Sequence, residues 1–323
     1  MHKYEYQVRD SRRKRKKLKF LKLILVLTVI AGLCYIILTG SLAIIARLTD
    51  STVTKGSRSG NVSPLGSLLE IEKNDSKLSE VIEPILKEEQ GEYAVVIENL
   101  TTGETFELNS DREFLAASLY KLWVMAAVFE KMEQGTLDKD DVMAEEVAKL
   151  NEQFDIATES AELTEGSFSM SVTEALNKMI TVSHNYAALL LSRAVRLSSV
   201  ASFMDKHGYD NSSLNPPTTT AADIAIFYKD LYERKLVSPE ASIEMMELLK
   251  KQEWNDRIPK YLPAEIVSAH KTGELDQAKH DAGIVFTENG NYIIVLMSET
   301  NSQANAAEVE ARISEAVYNY FNN

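Results

Sequence analysis

Ser118-Leu119-Tyr120-Lys121 sets a hydroxyl and an amine three residues apart where the chain turns helical, and on a helix i and i+3 share a face. A serine hydroxyl becomes a nucleophile once a base takes its proton. A lysine desolvated near a second cation has its pKa lowered enough to be that base. The plainer account of the same residues is a helix N-cap followed by a solvated lysine, and Ser-x-x-Lys also occurs at Ser11 to Lys14 and Ser268 to Lys271. Two further short patterns follow along the chain, Ser183-His184-Asn185 and Lys271-Thr272-Gly273. Ser-x-Asn is common too, recurring at Ser59-Gly60-Asn61 and Ser213-Leu214-Asn215. The informative feature is the ordered set, and it depends on the elements that would position it.

Leu68, Leu69, Leu78, Val81, Ile82, Ile85 and Leu86 recur at helical spacing, which predicts an amphipathic helix to about Gln90 that tolerates Pro84. Tyr93 to Ile97 and Thr105 to Asn109 read as a hairpin about a turn at Asn99 to Gly103. From Ser118 to about Pro259 the pattern is helical with little strand signal. Strands return at Val267 to His270, Asp281 to Thr287 and Tyr292 to Ser298, the last two joined across Asn289-Gly290, and a closing helix runs from Gln303 to Phe321. Strands at both ends around a helical middle predict an α/β fold of the α+β kind. One antiparallel sheet flanked by helices is built from residues 68–135 and 260–323, with an all-helical lobe inserted over 136–259. A cleft between sheet and insert is the natural place for a site. Ser118 then starts a helix after the hairpin, Ser183 to Asn185 lie in the insert, and Lys271 to Gly273 end a strand before a hairpin.

This ordered set resembles the penicillin-recognising serine enzymes. The segment Lys271-Thr272-Gly273-Glu274, with Asp281-Ala282-Gly283-Ile284-Val285 after it, is most similar to class A β-lactamases. The resemblance covers residues 68–323 and implies a β-lactamase/transpeptidase-like fold acting on a β-lactam or a cell-wall peptide. Ser118 would attack the carbonyl with Lys121 as base, Ser183 would relay a proton to the leaving nitrogen, and Asn185 would hold the substrate's side-chain amide. Lys271 and Thr272 would meet the substrate carboxylate. The backbone N–H groups of Ser118 and Glu274 would stabilise the oxyanion, with Gly273 permitting close backbone approach.

The sequence departs from that family in two places. His184 stands where the middle residue of the second motif is usually Asp. The Glu-x-x-Leu-Asn segment, whose glutamate activates the deacylating water, has no counterpart: aligning on Leu214-Asn215 puts Asn211 there, and no Glu occurs between Tyr186 and Leu231. Asp210 is the nearest carboxylate, and the segment before Thr218 is short. An amide accepts no proton at neutral pH, so acylation is expected to outpace deacylation. The spacing of His270, His280 and Asp281 fits no common zinc pattern, and no metal site or cofactor is expected. Trp123, Met125 and Phe129 are expected in the core.

The chain's 323 residues are 45% hydrophobic and 26% charged, an ordinary globular composition. The net charge of −13 is unevenly spread. Residues 1–22 carry ten Lys/Arg against Glu5 and Asp10, which leaves 25 basic against 46 acidic residues in the rest, so nucleic acid is not an expected partner. The single cysteine, Cys34, excludes an internal disulfide or a thiolate zinc cluster. Residues 23–46 are 24 uncharged, largely aliphatic positions, long enough to span a hydrocarbon core of about 30 Å. With the basic tract before them they read as a single-pass anchor. Residues 1–22 form a cytoplasmic tail, residues 47–67 a Ser/Thr/Gly-rich stalk, and the domain at 68–323 lies outside the cytoplasm at the cell membrane. A cleaved signal peptide ending near Ser41-Leu42-Ala43 is the rival, against which the apolar run is too long. Protease added to intact cells is expected to remove the domain beyond Arg47 while an N-terminal tag stays protected. Recovery of the whole chain in the soluble cytosolic fraction would contradict this topology.

Overall fold

The computed structural model of the protein describes residues 77–87 and 89–322. The tail, the anchor, the stalk and the first part of the expected opening helix lie outside these residues. Helix α1 (Leu78–Leu86) contains Pro84 and precedes the hairpin β1 (Glu92–Asn99) and β2 (Thr105–Leu108). A two-residue strand β3 (Phe114–Leu115) leads into a 3₁₀ turn (Ala117–Tyr120) and helix α2 (Lys121–Glu133). The insert continues through β4 (Val142–Glu146), α3 (Val147–Gln153), β5 (Ser167–Ser171), α4 (Val172–Thr181), α5 (Asn185–Val195) and α6 (Leu197–His207). It ends with β6 (Ser213–Leu214), β7 (Pro217–Thr219), α7 (Ala221–Tyr232) and α8 (Pro239–Leu249). Strands β8 (Val267–Leu275), β9 (Ala278–Phe286) and β10 (Tyr292–Glu299) and helix α9 (Gln303–Asn322) complete the chain.

The five long strands form one antiparallel sheet in the order β2-β1-β10-β9-β8, so the two ends of the chain meet where β1 pairs with β10. One sheet face, through Tyr93, Val95, Ile97, Val285, Ile294 and Leu296, packs with Leu78 and Ile82 of α1 and Val309, Ile313 and Val317 of α9. The other, through Ala94, Val96, Ala269, Ala282, Ile284 and Val295, joins the core of the insert. Burial on both faces is why β10 reads as an unbroken apolar run rather than an alternating one. Helix α2 is buried from Lys121 to Phe129, Trp123, Met125 and Phe129 included, as a helix apolar on every side must be.

The insert is not all-helical. Strands β4 and β5 form an antiparallel ribbon, and β6, β7 and β3 form a small three-stranded sheet. In β4 the residues alternate between exposed and half-buried, with Val142 on the exposed side, so no apolar run announces the strand. Strands β6 and β7 are too short for any periodicity.

Strand β8 is one edge of the main sheet, opposite β2, and a glycine sets how closely β9 lies against it. A Cβ built on Gly283 would stand 2.5 Å from Ala269 O and 2.6 Å from His270 Cβ. Gly283→Ala is therefore expected to destabilise the domain by about 1–3 kcal/mol through overpacking, read as a lower urea midpoint. An unchanged midpoint would show that the strands separate at no cost.

Candidate active site

The site forms where three elements from distant parts of the chain meet. The 3₁₀ turn carrying Ser118 is held against β7 by Ala116 N–H donating to Pro217 O at 2.9 Å. Residues three apart eclipse in a 3₁₀ turn, so Ser118 and Lys121 lie on one face. Ala117 immediately before the serine has φ 44°, and Ser183 has φ 56°. Left-handed backbone at non-glycine residues costs about 1–3 kcal/mol and clusters at functional sites.

The second element is the start of α5. His184 is its N-cap, its Nδ1 accepting from Ala187 N–H at 3.2 Å. A histidine thus does the capping, and it does so with Nδ1 unprotonated. Burial, followed by the nearby Lys178, lowers its pKa. Ser183 and Asn185, on either side of the cap, face the third element, edge strand β8.

Two fully buried lysines meet at Ser183. Lys121 Nζ donates to Ser183 O at 2.6 Å, to Ser183 Oγ at 3.1 Å and to Asn185 Oδ1 at 2.7 Å. Lys271 Nζ donates to the same Ser183 Oγ at 3.0 Å and to Thr272 O at 2.8 Å. Burial lowers the pKa of Lys121 to about 7, with Glu162 partly opposing the shift. Burial, then the charge of Lys121, lowers that of Lys271 well below the ordinary value. A lysine amine that loses its proton near neutrality is suited to accept one from a serine. Ser118 Oγ itself makes no hydrogen bond to Lys121, whose amine is turned toward α5.

Ser118, Ser183, His184, Asn185, Thr272 and Glu274 line one cleft of about 480 Å³. Gly273 lies against the Ser118 turn, where an added Cβ would stand 3.3 Å from Leu119 Cγ and 3.4 Å from Ala116 O. The Glu274 carboxylate accepts from Arg257 Nη2 at 2.8 Å and Lys279 Nζ at 2.6 Å. Burial pushes its pKa up, but these cations outweigh burial and hold it below the ordinary value.

Four cleft residues had no signal in the sequence: Glu162, from the connection between α3 and β5, Val182, just after α4, and Trp254 and Arg257, from the connection between α8 and β8. Trp254 N–H donates to Gln252 Oε1 at 3.1 Å, and Gln252 is tied by its amide to Ile180 O of α4 at 2.8 Å. Arg257 is followed by Ile258, whose N–H donates to Asp281 Oδ2 at 3.0 Å. His270 Nδ1 lies 2.9 Å from Asp281 Oδ1, and its Nε2 lies 3.2 Å from Asn255 Oδ1, so this pair braces the loop. Burial lowers the pKa of His280 to about 4, and its Nε2 lies 2.8 Å from Leu115 O. Among the described residues no group of three or more His, Cys, Asp or Glu side chains gathers to hold a metal.

Residues 77–321 match the model of the β-lactamase enzyme family. The chain belongs to this family. It is 22% identical over 279 residues to the β-lactamase VEB-1 of Pseudomonas aeruginosa, an alignment covering 75% of this chain and 89% of that enzyme. Its fold superposes on PBP-A with a TM-score of 0.69 at 22% identity, covering 79% of this chain and 99% of the other. It also superposes on a substituted PBP-A in its acyl-enzyme complex with penicillin G, with a TM-score of 0.67 at 21% identity over 76% and 95% of the two chains.

Within this β-lactamase-family domain, Asn211 does not line the cleft. It is exposed, and its N–H donates to Asp223 Oδ2 at 3.0 Å beside Ser212 Oγ, which donates to the same oxygen at 2.6 Å. Asp210 is exposed and also absent from the lining. The two carboxylates that do line the cleft are Glu162 and Glu274.

The lysine arrangement has a direct spectroscopic consequence. With lysine side chains labelled with ¹³C, the signal absent from Lys121→Met is expected to titrate at about 7. Because Glu162 raises the Lys121 pKa, Glu162→Gln should move that midpoint to lower pH. A Lys121 midpoint near 10.5, the unshifted value, would show that the amine stays charged at neutrality.

Proposed function

We propose that the protein is a serine acyl-enzyme hydrolase that opens β-lactam amides through Ser118 and releases the acyl group slowly. The observation carrying this reading is the pair of buried lysines sharing the Ser183 hydroxyl beside the Ser118 turn. Ser118 Oγ attacks the lactam carbonyl carbon as its proton passes to the neutral Lys121 amine. The oxyanion is held by the backbone N–H groups of Ser118 and Glu274. The carbon–nitrogen bond then breaks, and the leaving nitrogen takes a proton from Ser183 Oγ, which is resupplied through the lysines hydrogen-bonded to it. Lys271 and Thr272 receive the substrate carboxylate, and Asn185 receives the side-chain amide. Water finally cleaves the Ser118 ester.

Slow release is supported by the absence of a glutamate between Tyr186 and Leu231 and by the placement of Asn211 on Asp223. The same observations favour a second reading, a D-alanyl-D-alanine peptidase-like penicillin-binding protein that β-lactams acylate and poison. Residues 23–46 are proposed to hold the domain at the outer side of the cell membrane.

Incubating the full-length protein with a fluorescent penicillin and following labelling and release tests the proposal. A burst equal to the enzyme concentration followed by slow turnover is expected. Ser118→Ala should abolish labelling, whereas Ser268→Ala should retain it. Labelling of Ser118→Ala would remove the nucleophile assignment, and rapid steady hydrolysis without a burst would overturn slow release. Release too slow to detect over hours would select the peptidase-like reading. Because Asn211 is outside the cleft, Asn211→Glu is expected to leave release unchanged.

A further inference from the structure

Glu162 is a cleft residue that the reaction above does not use. Its Oε1 accepts a short hydrogen bond from Asn185 Nδ2, and the carboxylate forms no ion pair among the described residues. The Glu162 carboxylate settles the orientation of the Asn185 amide: it accepts only, so Nδ2 must face Glu162, and Oδ1 at the other end takes a hydrogen from Lys121 Nζ. The amide is thereby pinned at both ends, with one Nδ2 hydrogen on Glu162 and the other left for a ligand.

Those two hydrogens fix where a substrate would lie relative to Glu162. They diverge by about 120°, so two acceptors each about 2.9 Å from the nitrogen sit about 5 Å apart. On the reading in which Asn185 holds the carbonyl of the substrate's acyl substituent, that carbonyl oxygen and the Glu162 carboxylate are these two acceptors. A substituent on the carbon next to the carbonyl lies about 3 Å from its oxygen by standard bond lengths. Rotation about the bond to the carbonyl brings it within hydrogen-bond reach of Glu162.

We propose that Glu162 is a specificity residue that selects substrates whose acyl substituent carries an ammonium on the carbon adjacent to its carbonyl, as in an amino-acyl group. An ammonium there gains a charge-assisted hydrogen bond to the carboxylate. A hydrogen gains nothing, and a carboxylate meets a like charge. On the same reading the substrate carboxylate goes to Lys271 and Thr272, so a charge-assisted contact at Glu162 adds to the orientation of the substrate as well as to its affinity. The inference rests on the acyl-enzyme reading above and names the substrate class of that same site.

Three penicillins that differ only at this carbon test it: benzylpenicillin with hydrogen, ampicillin with ammonium and carbenicillin with carboxylate. The second-order rate constant for acylation of Ser118 in the full-length protein is expected to be about two- to fivefold higher for the ammonium than for the carboxylate compound, the range an exposed ion pair gives. The preference should shrink as salt is raised. Glu162→Gln keeps the hydrogen bond from Asn185 and removes the charge, and should bring the ratio to about one. Comparing ratios within each protein cancels any common change in Lys121 reactivity. Equal rates in the unsubstituted protein, or a ratio that survives Glu162→Gln, would overturn the proposal. So would a Glu162→Gln protein whose only defect is arrested release of all three acyl groups, because Glu162 would then be acting on water. Failure of all three to label Ser118 would remove the acyl-enzyme reading and this inference with it.

Discussion

Two ammonium-bearing side chains buried completely and hydrogen-bonded to one hydroxyl set the terms for everything around them. Lys121 and Lys271 have no exposure and share Ser183 Oγ, so keeping both charged is costly and the local balance favours losing a proton. Arg257 adds a third cation nearby, and Asp281 and Glu162 supply the opposing charge. The surrounding structure keeps the pair buried: Lys121 begins the helix at the centre of the insert's core, and Lys271 sits on an edge strand pressed against the Ser118 turn.

Holding those elements together requires a sheet that is rigid on both faces. Strand β8 is paired only on its β9 side, and Gly283 brings that partner close while Gly273 lets the 3₁₀ turn approach from the other side. The left-handed residues Ala117 and Ser183 stand on opposite sides of the resulting cleft. Strain of this kind persists only where neighbouring structure overdetermines it, and here the neighbours are a buried helix and the cap of α5.

Much of the architecture was legible in the sequence. The β1/β2 hairpin, the three C-terminal strands and the closing helix stood out because each is apolar over a length and period that only its own element type satisfies. Pairing of the two chain ends followed from strands at both ends of the chain around a helical middle. The β4/β5 ribbon was hidden because its residues alternate with shallow burial and carry little hydrophobic contrast. The alignment on Leu214-Asn215, which puts Asn211 at the position of the family's loop glutamate, did not carry the path of the chain: a short segment that docks β7 beside the Ser118 turn and ties Asn211 to Asp223 leaves residue 211 outside the cleft lining.

By itself the sequence determined which groups are available and in what order: a serine and a lysine on one helical face, a Ser-x-Asn in the insert, a Lys-Thr-Gly on a late strand. Those relations are local or topological, and side-chain chemistry with backbone periodicity encodes them directly. Only the tertiary structure decided that the Lys121 amine turns toward Ser183 and Asn185 rather than Ser118, that His184 caps α5, and that Glu162 and Arg257 enter the same cleft. Glu162 and Arg257 belong to no motif, because their roles arise from where connecting segments cross the cleft. That crossing is set by the packing of the helices and strands on either side.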